Sequence, residues 1–291
     1  MAEGLLAGTR CALMIDLALL MGLPLFWWVM GMAGRRAVLA ALAIGGVALS
    51  ALWLLASAAV MTGAPITSPD WASAHILLTM TPIGPVLAVR GAALLAVLIV
   101  VALPHGVRWT MAPAGAVSAT LAWTGHAGAT EGLAGSLHRA ADVAHIWAAA
   151  GWIGALAVLL GAVMRLRGGD DMRPVARMLA RFALMGTLLV ATLVVTGAVN
   201  AAMIVGVAQW PALTGSLYGW LLAAKLALFG AMLGLAAANR WRLTPALETC
   251  VQPQRAVAAL RLSLAVETSF AVVIIGLVAW LGTLDPMAPI I

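Results

Sequence analysis

Apolar runs of about twenty residues or more follow one another along almost the whole chain, and no other feature limits its fold so severely. A helix crossing a bilayer needs ~20 mostly apolar residues, because in hydrocarbon each backbone polar group must bond within its own segment. Runs of roughly this length lie at about 11–31, 37–62, 76–102, 109–125, 141–164, 181–206, 217–238 and 259–283. The fourth is the shortest and carries Pro113. The expected fold class is therefore all-α: a polytopic transmembrane bundle of about eight helices, forming a single domain over 1–291. Composition agrees, since 64% of residues are hydrophobic and 9% charged, against about 25% charged in a water-soluble domain. Membrane lipid is the first partner. No basic region precedes the first run, which is expected to be a retained helix and not a signal peptide.

Arginine sets the orientation. Alternate connections carry Arg35 and Arg36, then Arg108, then Arg165, Arg167, Arg173 and Arg177, then Arg240, Arg242, Arg255 and Arg261. The other set has little beyond Arg10 and Arg139. Positive charge marks the cytoplasmic side. Both termini and the connections 63–75, 126–140 and 207–216 are thus expected outside. The net charge of +6 is a topology signal, and no nucleic-acid partner is expected. Cys11 and Cys250 fall on opposite faces and lack thiolate-site spacing; Cys11 reads as structural ahead of a lone copper ligand. Gly230-x-x-x-Gly234 and Gly151-x-x-Gly154 permit close helix approach, read as packing within the bundle ahead of a homo-oligomer face. The short cytoplasmic connections hold no ATP-binding loop, and no catalytic residues stand out, so an enzyme is not expected.

A charge inside hydrocarbon costs at least ~2.5 kcal/mol, so such residues face the bundle interior and mark function. Here they are Asp16, Arg90, Asp142, His145, Lys225 and Glu267, joined by Asn200. Asp16, Arg90, Asn200, Lys225 and Glu267 read either as a transport path or as internal ion pairs. The pairs considered are Asp16 with Lys225 and Arg90 with Glu267, and Glu267 is the leading carboxylate for the inner half of a path.

Four of the five histidines, His75, His126, His138 and His145, map to the outer side, and His105 to the inner. His138, Asp142 and His145 stand at i, i+4 and i+7, on one helical face. His138 and His145 are ~10 Å apart along the axis, too far to share one metal. One of them would need a ligand from elsewhere, with His126 the favoured one. Imidazole suits several transition metals, whereas thioether selects Cu(I), and Met80 lies near His75. Any one of these histidines alone reads as a hydrogen-bonded interfacial residue, and a methionine as core filling. Their clustering favours a metal or cofactor site drawn from His126, His145, His138, Asp142, His75 and Met80. Trp27, Trp28, Trp71, Trp210 and Trp280 suit an interfacial belt; Trp147 and Trp152 flank His145.

With these residues the chain resembles the CopD/PcoD family of copper-resistance inner-membrane proteins. The blocks that carry the resemblance are Thr79-x-x-x-x-Gly84 with Arg90, Gly125-His126-Ala127, and His138 through Asp142, His145 and Trp147 to Trp152-Ile153-Gly154. Further on come Thr196 to Asn200, Tyr218-Gly219-Trp220 with Lys225, Asn239-Arg240 with Pro245, and Glu267 with Leu281-Gly282-Thr283-Leu284. A glycine pair would be more typical where Gly154-Ala155 stands. The resemblance implies a multi-pass protein of the bacterial inner membrane with periplasmic termini, and a role in copper homeostasis or resistance. It further implies copper ion as ligand, bound on the periplasmic side, a periplasmic copper-binding protein as partner, and inward transport. Two alternatives stand beside it. The His145-Ile146-Trp147 and Trp152-Ile153-Gly154 pattern also resembles haem-binding helices of HemJ-like protoporphyrinogen oxidases, which would make this a haem b membrane oxidoreductase. The other is a copper-binding assembly subunit that transports nothing.

Overall fold

A computed structural model describes residues 2–104, 106–125, 128, 132–167, 172–206, 210–211, 213, 215–245 and 253–285. These form α1 (Ala2–Met30), α2 (Arg36–Thr62), α3 (Trp71–Met80), α4 (Ile83–Ala102), α5 (Met111–Ala119), α6 (Gly132–Arg165), α7 (Arg173–Val205), α8 (Leu217–Ala238) and α9 (Pro253–Leu281). Among the described residues, seven helical stretches are long and apolar enough to cross a membrane. The expected fourth crossing is a composite. A 3-10 turn over Gly106–Thr110 leads into α5, and a second over Thr120–Trp123 follows it. At rises of ~2.0 and ~1.5 Å per residue the three pieces together reach about 30 Å, the thickness of a hydrocarbon core.

The run expected as one helix over 76–102 is broken. Thr81 is extended (φ −126°, ψ 164°), as the residue before a proline prefers, so α3 stops and α4 restarts after Pro82. Gly84 is needed at this corner, because a Cβ there would lie 1.8 Å from the Leu78 carbonyl oxygen. Asp70 caps α3: its carboxylate accepts from the Ala72 and Ser73 N–H groups at 3.0 and 3.4 Å and from the Ser73 hydroxyl at 2.7 Å. Those bonds, the Ser73 hydroxyl first, hold its pKa below the ordinary carboxylate range. Gly63 ends α2 in the left-handed region (φ 73°), its N–H bonded to the Ala59 carbonyl.

Helix α1 is the hub, packed on α2, α5, α6 and α9. Its contact with α6 is made backbone to backbone. A Cβ on Gly22 would fall 1.9 Å from the Ala150 carbonyl oxygen, and one on Gly154 would fall 2.2 Å from the Gly22 carbonyl carbon. One apolar core lies in the N-terminal half around Leu13, Leu17, Leu20, Leu39 and Leu94. The second fills the C-terminal half around Phe26, Trp152, Leu159, Leu260 and Leu264. Gly151 packs inside this bundle, facing Leu25 and Leu189, but Gly230 and Gly234 have nothing within 4 Å. The latter pair therefore faces outward and not into the bundle, because α8 leans chiefly on α9.

The arginine-rich connections gather at one end. Arg261 donates from Nε to the Val163 carbonyl at 3.1 Å and from Nη2 to the Leu166 carbonyl, satisfying carbonyls left open at the end of α6. Arg240 reaches Thr187 Oγ1 at 2.9 Å. At the other end Arg10 donates to the Gly282 carbonyl, at 3.4 Å.

Candidate functional site

The outer thirds of α6 and α7 are antiparallel, and each carries a polar stripe. On α6 Asp142 and His145 are three residues apart; on α7 Thr196 and Asn200 are four apart. Both spacings put the pair on one face, so the two stripes meet as two rungs. Asn200 Nδ2 donates to Asp142 Oδ1 at 3.0 Å. One turn deeper, His145 Nδ1 lies 2.9 Å from Thr196 Oγ1. Gly197 leaves room for the ring, since a Cβ there would sit 3.5 Å from His145 Cε1.

The second rung fixes a proton. Thr196 Oγ1 donates its only hydrogen to the Thr192 carbonyl, at 2.6 Å. Toward His145 it can therefore only accept, so Nδ1 is the protonated nitrogen. The lone pair of the neutral imidazole is left on Nε2. A ligating histidine is commonly held this way, one nitrogen donating to a fixed acceptor and the other facing the metal.

Asp142 is within electrostatic reach of Lys225, Arg10 and His138. His138, one turn outward on α6, is 1% exposed. The Arg10 guanidinium lies over Gly282, where a Cβ would be 2.6 Å from Nη2, and beside Gly125, where it would be 3.4 Å away. Asn200 Oδ1 is buried with no hydrogen-bond partner among the described residues. The outer cluster thus comprises Arg10, His138, Asp142, His145, Thr196, Asn200 and Lys225.

Other expected members lie elsewhere. His75 and Met80 are exposed on α3, Met80 at 80%, and α3 packs on α2 and α4. His105, His126 and Cys250 lie outside the described residues. Among the described residues no three His, Cys, Asp or Glu side chains come together as a metal site. Neither ion pair expected from depth forms. Asp16 packs instead on Gly45 and Gly46 of α2, where Cβ atoms would be 3.0 and 3.1 Å from its carboxylate oxygens. Lys225 faces Asp142 electrostatically. Arg90 is fully buried, with Nε donating to Thr120 Oγ1 at 2.8 Å and its guanidinium 5.7 Å from the Trp53 ring centroid. Glu267 is 2% exposed and accepts from Asn239 Nδ2 and, at 3.4 Å, from Ser263 Oγ. The reason is connectivity: α1 meets α2 and α9, and α4 meets α2 and α5, so depth alone pairs the wrong helices.

Asn239 opens a π-helical turn over Asn239–Leu243; such turns are rare and cluster at functional sites. Thr196 and Asn239 were visible in the sequence only as parts of longer motifs. The signal that finds Thr196 is its four-residue spacing from Asn200, matching Asp142 and His145.

Comparison with known proteins covers nearly the whole chain. Residues 176–281 match the family model described as copper resistance protein D, and residues 1–136 match the copper resistance protein D-like N-terminal domain. Copper resistance protein D of Pseudomonas syringae pv. tomato is 37% identical over 308 aligned positions, 98% of each chain. The inner membrane protein YebZ of Escherichia coli (strain K12) is 28% identical over 57% of this chain and 55% of its own. No solved structure matches.

Proposed function

The chain belongs to the copper resistance protein D family, and from that premise we propose that it takes copper from the periplasm at His145 and passes it into the membrane. As a family member it is a copper resistance protein, spanning the bacterial inner membrane many times. The finer reading is supported by one observation: His145 Nδ1 lies 2.9 Å from Thr196 Oγ1, whose hydroxyl donates to the Thr192 carbonyl, an arrangement that suits Nε2 as a ligating atom.

Asp142, one turn outward, adds an oxygen donor and a counter-charge for an arriving cation. Arg10 and Lys225 keep that carboxylate balanced while no cation is bound. Imidazole is a good ligand for copper, and a site of few protein donors suits a cargo that must leave again. A further ligand comes from His126, between α5 and α6 in the sequence, from His138, or from a periplasmic copper-binding protein that delivers the ion. Passage inward would use Asn200 and, deeper, Glu267 with Asn239. A bis-His haem b would place a second imidazole facing His145 within the membrane, and the residues facing it from α7 are Thr196 and Gly197.

The experiment is to purify the protein and measure bound copper and its visible spectrum together. Stoichiometric copper is expected, lost in a His126→Ala/His145→Ala double variant while the helical spectrum is kept. A Soret band with iron, or copper retained in the double variant, would overturn the reading. Cells carrying Glu267→Gln should accumulate less copper if the ion passes through the bundle.

A further inference from the structure

The N-terminal half holds a second polar group that the outer cluster does not use. Asp16 Oδ2, Ser50 Oγ, and Arg90 Nη1 and Nη2 are all buried without a hydrogen-bond partner among the described residues. They come from three helices but line one seam. Gly46, Ser50 and Trp53 stand at i, i+4 and i+7 on α2 and are all buried, so they share one face. Opposite them, antiparallel, run Leu94 and, one turn outward, Arg90 of α4. The register is fixed at both ends. A Cβ on Gly46 would touch Leu94 Cδ2 and Asp16 Oδ2, both at 3.1 Å. The Arg90 guanidinium lies over Trp53. Ser50 therefore lies between the level of the Asp16 carboxylate, at Gly46, and that of the Arg90 guanidinium, at Trp53, levels seven residues or ~10 Å apart along α2.

Each group has what the other lacks. Arg90 spends Nε on Thr120 and one face on Trp53, leaving Nη1 and Nη2 to donate. Asp16 Oδ2 can accept, and the Ser50 hydroxyl can do both. A fully buried, unpaired guanidinium is strongly disfavoured, and Arg10 adds like charge to it. No direct ion pair spans the gap. Ordered water typically makes about three hydrogen bonds to otherwise unsatisfied buried groups and would complete such a set.

We propose that the seam between α1, α2 and α4 is an internal hydration site, in which bound water joins Asp16 to Arg90 past Ser50 into one electrically neutral unit. The unit ties α1 to α4, which share no direct polar contact here, and it is independent of where copper binds. Because Arg10 acts electrostatically on both Arg90 and Asp142, the hydrated unit lies one cation away from the outer cluster.

The test is a double-variant cycle on the full-length protein in lipid nanodiscs. Asp16→Asn and Arg90→Gln should each lower Tm by several degrees. The double variant should lose less than the sum, recovering at least half of the larger loss, since it removes both charges together. Losses that simply add would overturn the proposal. Should Arg90→Gln fail to fold, the wild-type protein answers by itself. In X-ray hydroxyl-radical footprinting, Trp53 should be oxidised several-fold faster than Trp152, a residue of the same type buried to a similar degree. Equal rates would refute the hydration site. Replacing chloride by gluconate should leave Tm unchanged; a chloride-dependent Tm would mean that an anion, and not water, serves Arg90.

Discussion

Thr196 decides the chemistry of His145 without touching cargo. Thr196→Val keeps the shape but removes the acceptor, freeing the ring to turn and change tautomer. Loss of such a supporting bond typically weakens metal binding about 10–100-fold, so copper affinity should fall by that factor with unchanged Tm, as read by competition with a chromophoric chelator. Thr196→Ser, which keeps the hydroxyl, should restore most of it. Asp142→Asn should weaken binding too and should leave Arg10 and Lys225 without a counter-charge, lowering Tm in addition. This pair of rungs was only half legible in the sequence. His138, Asp142 and His145 announce a face by spacing alone, whereas their partners Thr196 and Asn200 sit on another helix, some fifty residues on. Which face meets which depends on helix rotation, and apolar length carries no information about that. The same gap let depth pair Asp16 with Lys225 and Arg90 with Glu267.

Among the elements, the α1–α6 crossing tolerates the least change. Gly154→Val would drive side-chain atoms into the Gly22 backbone, and overpacking commonly costs about 1–3 kcal/mol or more. The expected result is a sharply reduced yield of folded protein in size-exclusion profiles. Gly161→Ala, on the same helix but with open space around it, should leave yield and Tm unchanged or slightly improved. The cap on α3 gives a pH signature. Asp70 is more acidic folded than unfolded, so its contribution is fully present above the ordinary carboxyl pKa of ~3.9. It is lost as pH falls through the lower folded value. Protection of the α3 amides, corrected for intrinsic exchange, should hold from pH 7 to about 4 and drop below it; in Asp70→Ala it should be weaker at every pH. Helix positions were legible because lipid demands length. Hydropathy averages over twenty residues, however, and so it passed across Thr81-Pro82, whose backbone preference breaks the third run. It also began the fifth run late, since the polar first turns of α6 around Ser136, His138 and Arg139 are helical all the same.

Taken as a whole, the molecule has an even number of crossings only if the composite segment from Gly106 to Trp123 counts as one. Alkaline phosphatase fused after residue 68 or 285 should then be active, and after residue 167 inactive. A silent fusion at 285 would mean seven crossings. Inner-end arginines that hold α6, α7 and α9 by their carbonyls and hydroxyls make the positive side mechanically tied as well as charged. The contact of α1 with α9 carries a consequence for biosynthesis. The hub helix leaves the ribosome early, yet Arg10 finds Gly282 only when the last helix has entered the bilayer. Until then its guanidinium must stay at the water interface, or be shielded by whatever guides insertion. The chain therefore closes as a ring whose first member is the last to be locked, and a ribosome stalled before α9 would leave an unfinished protein marked by one exposed arginine.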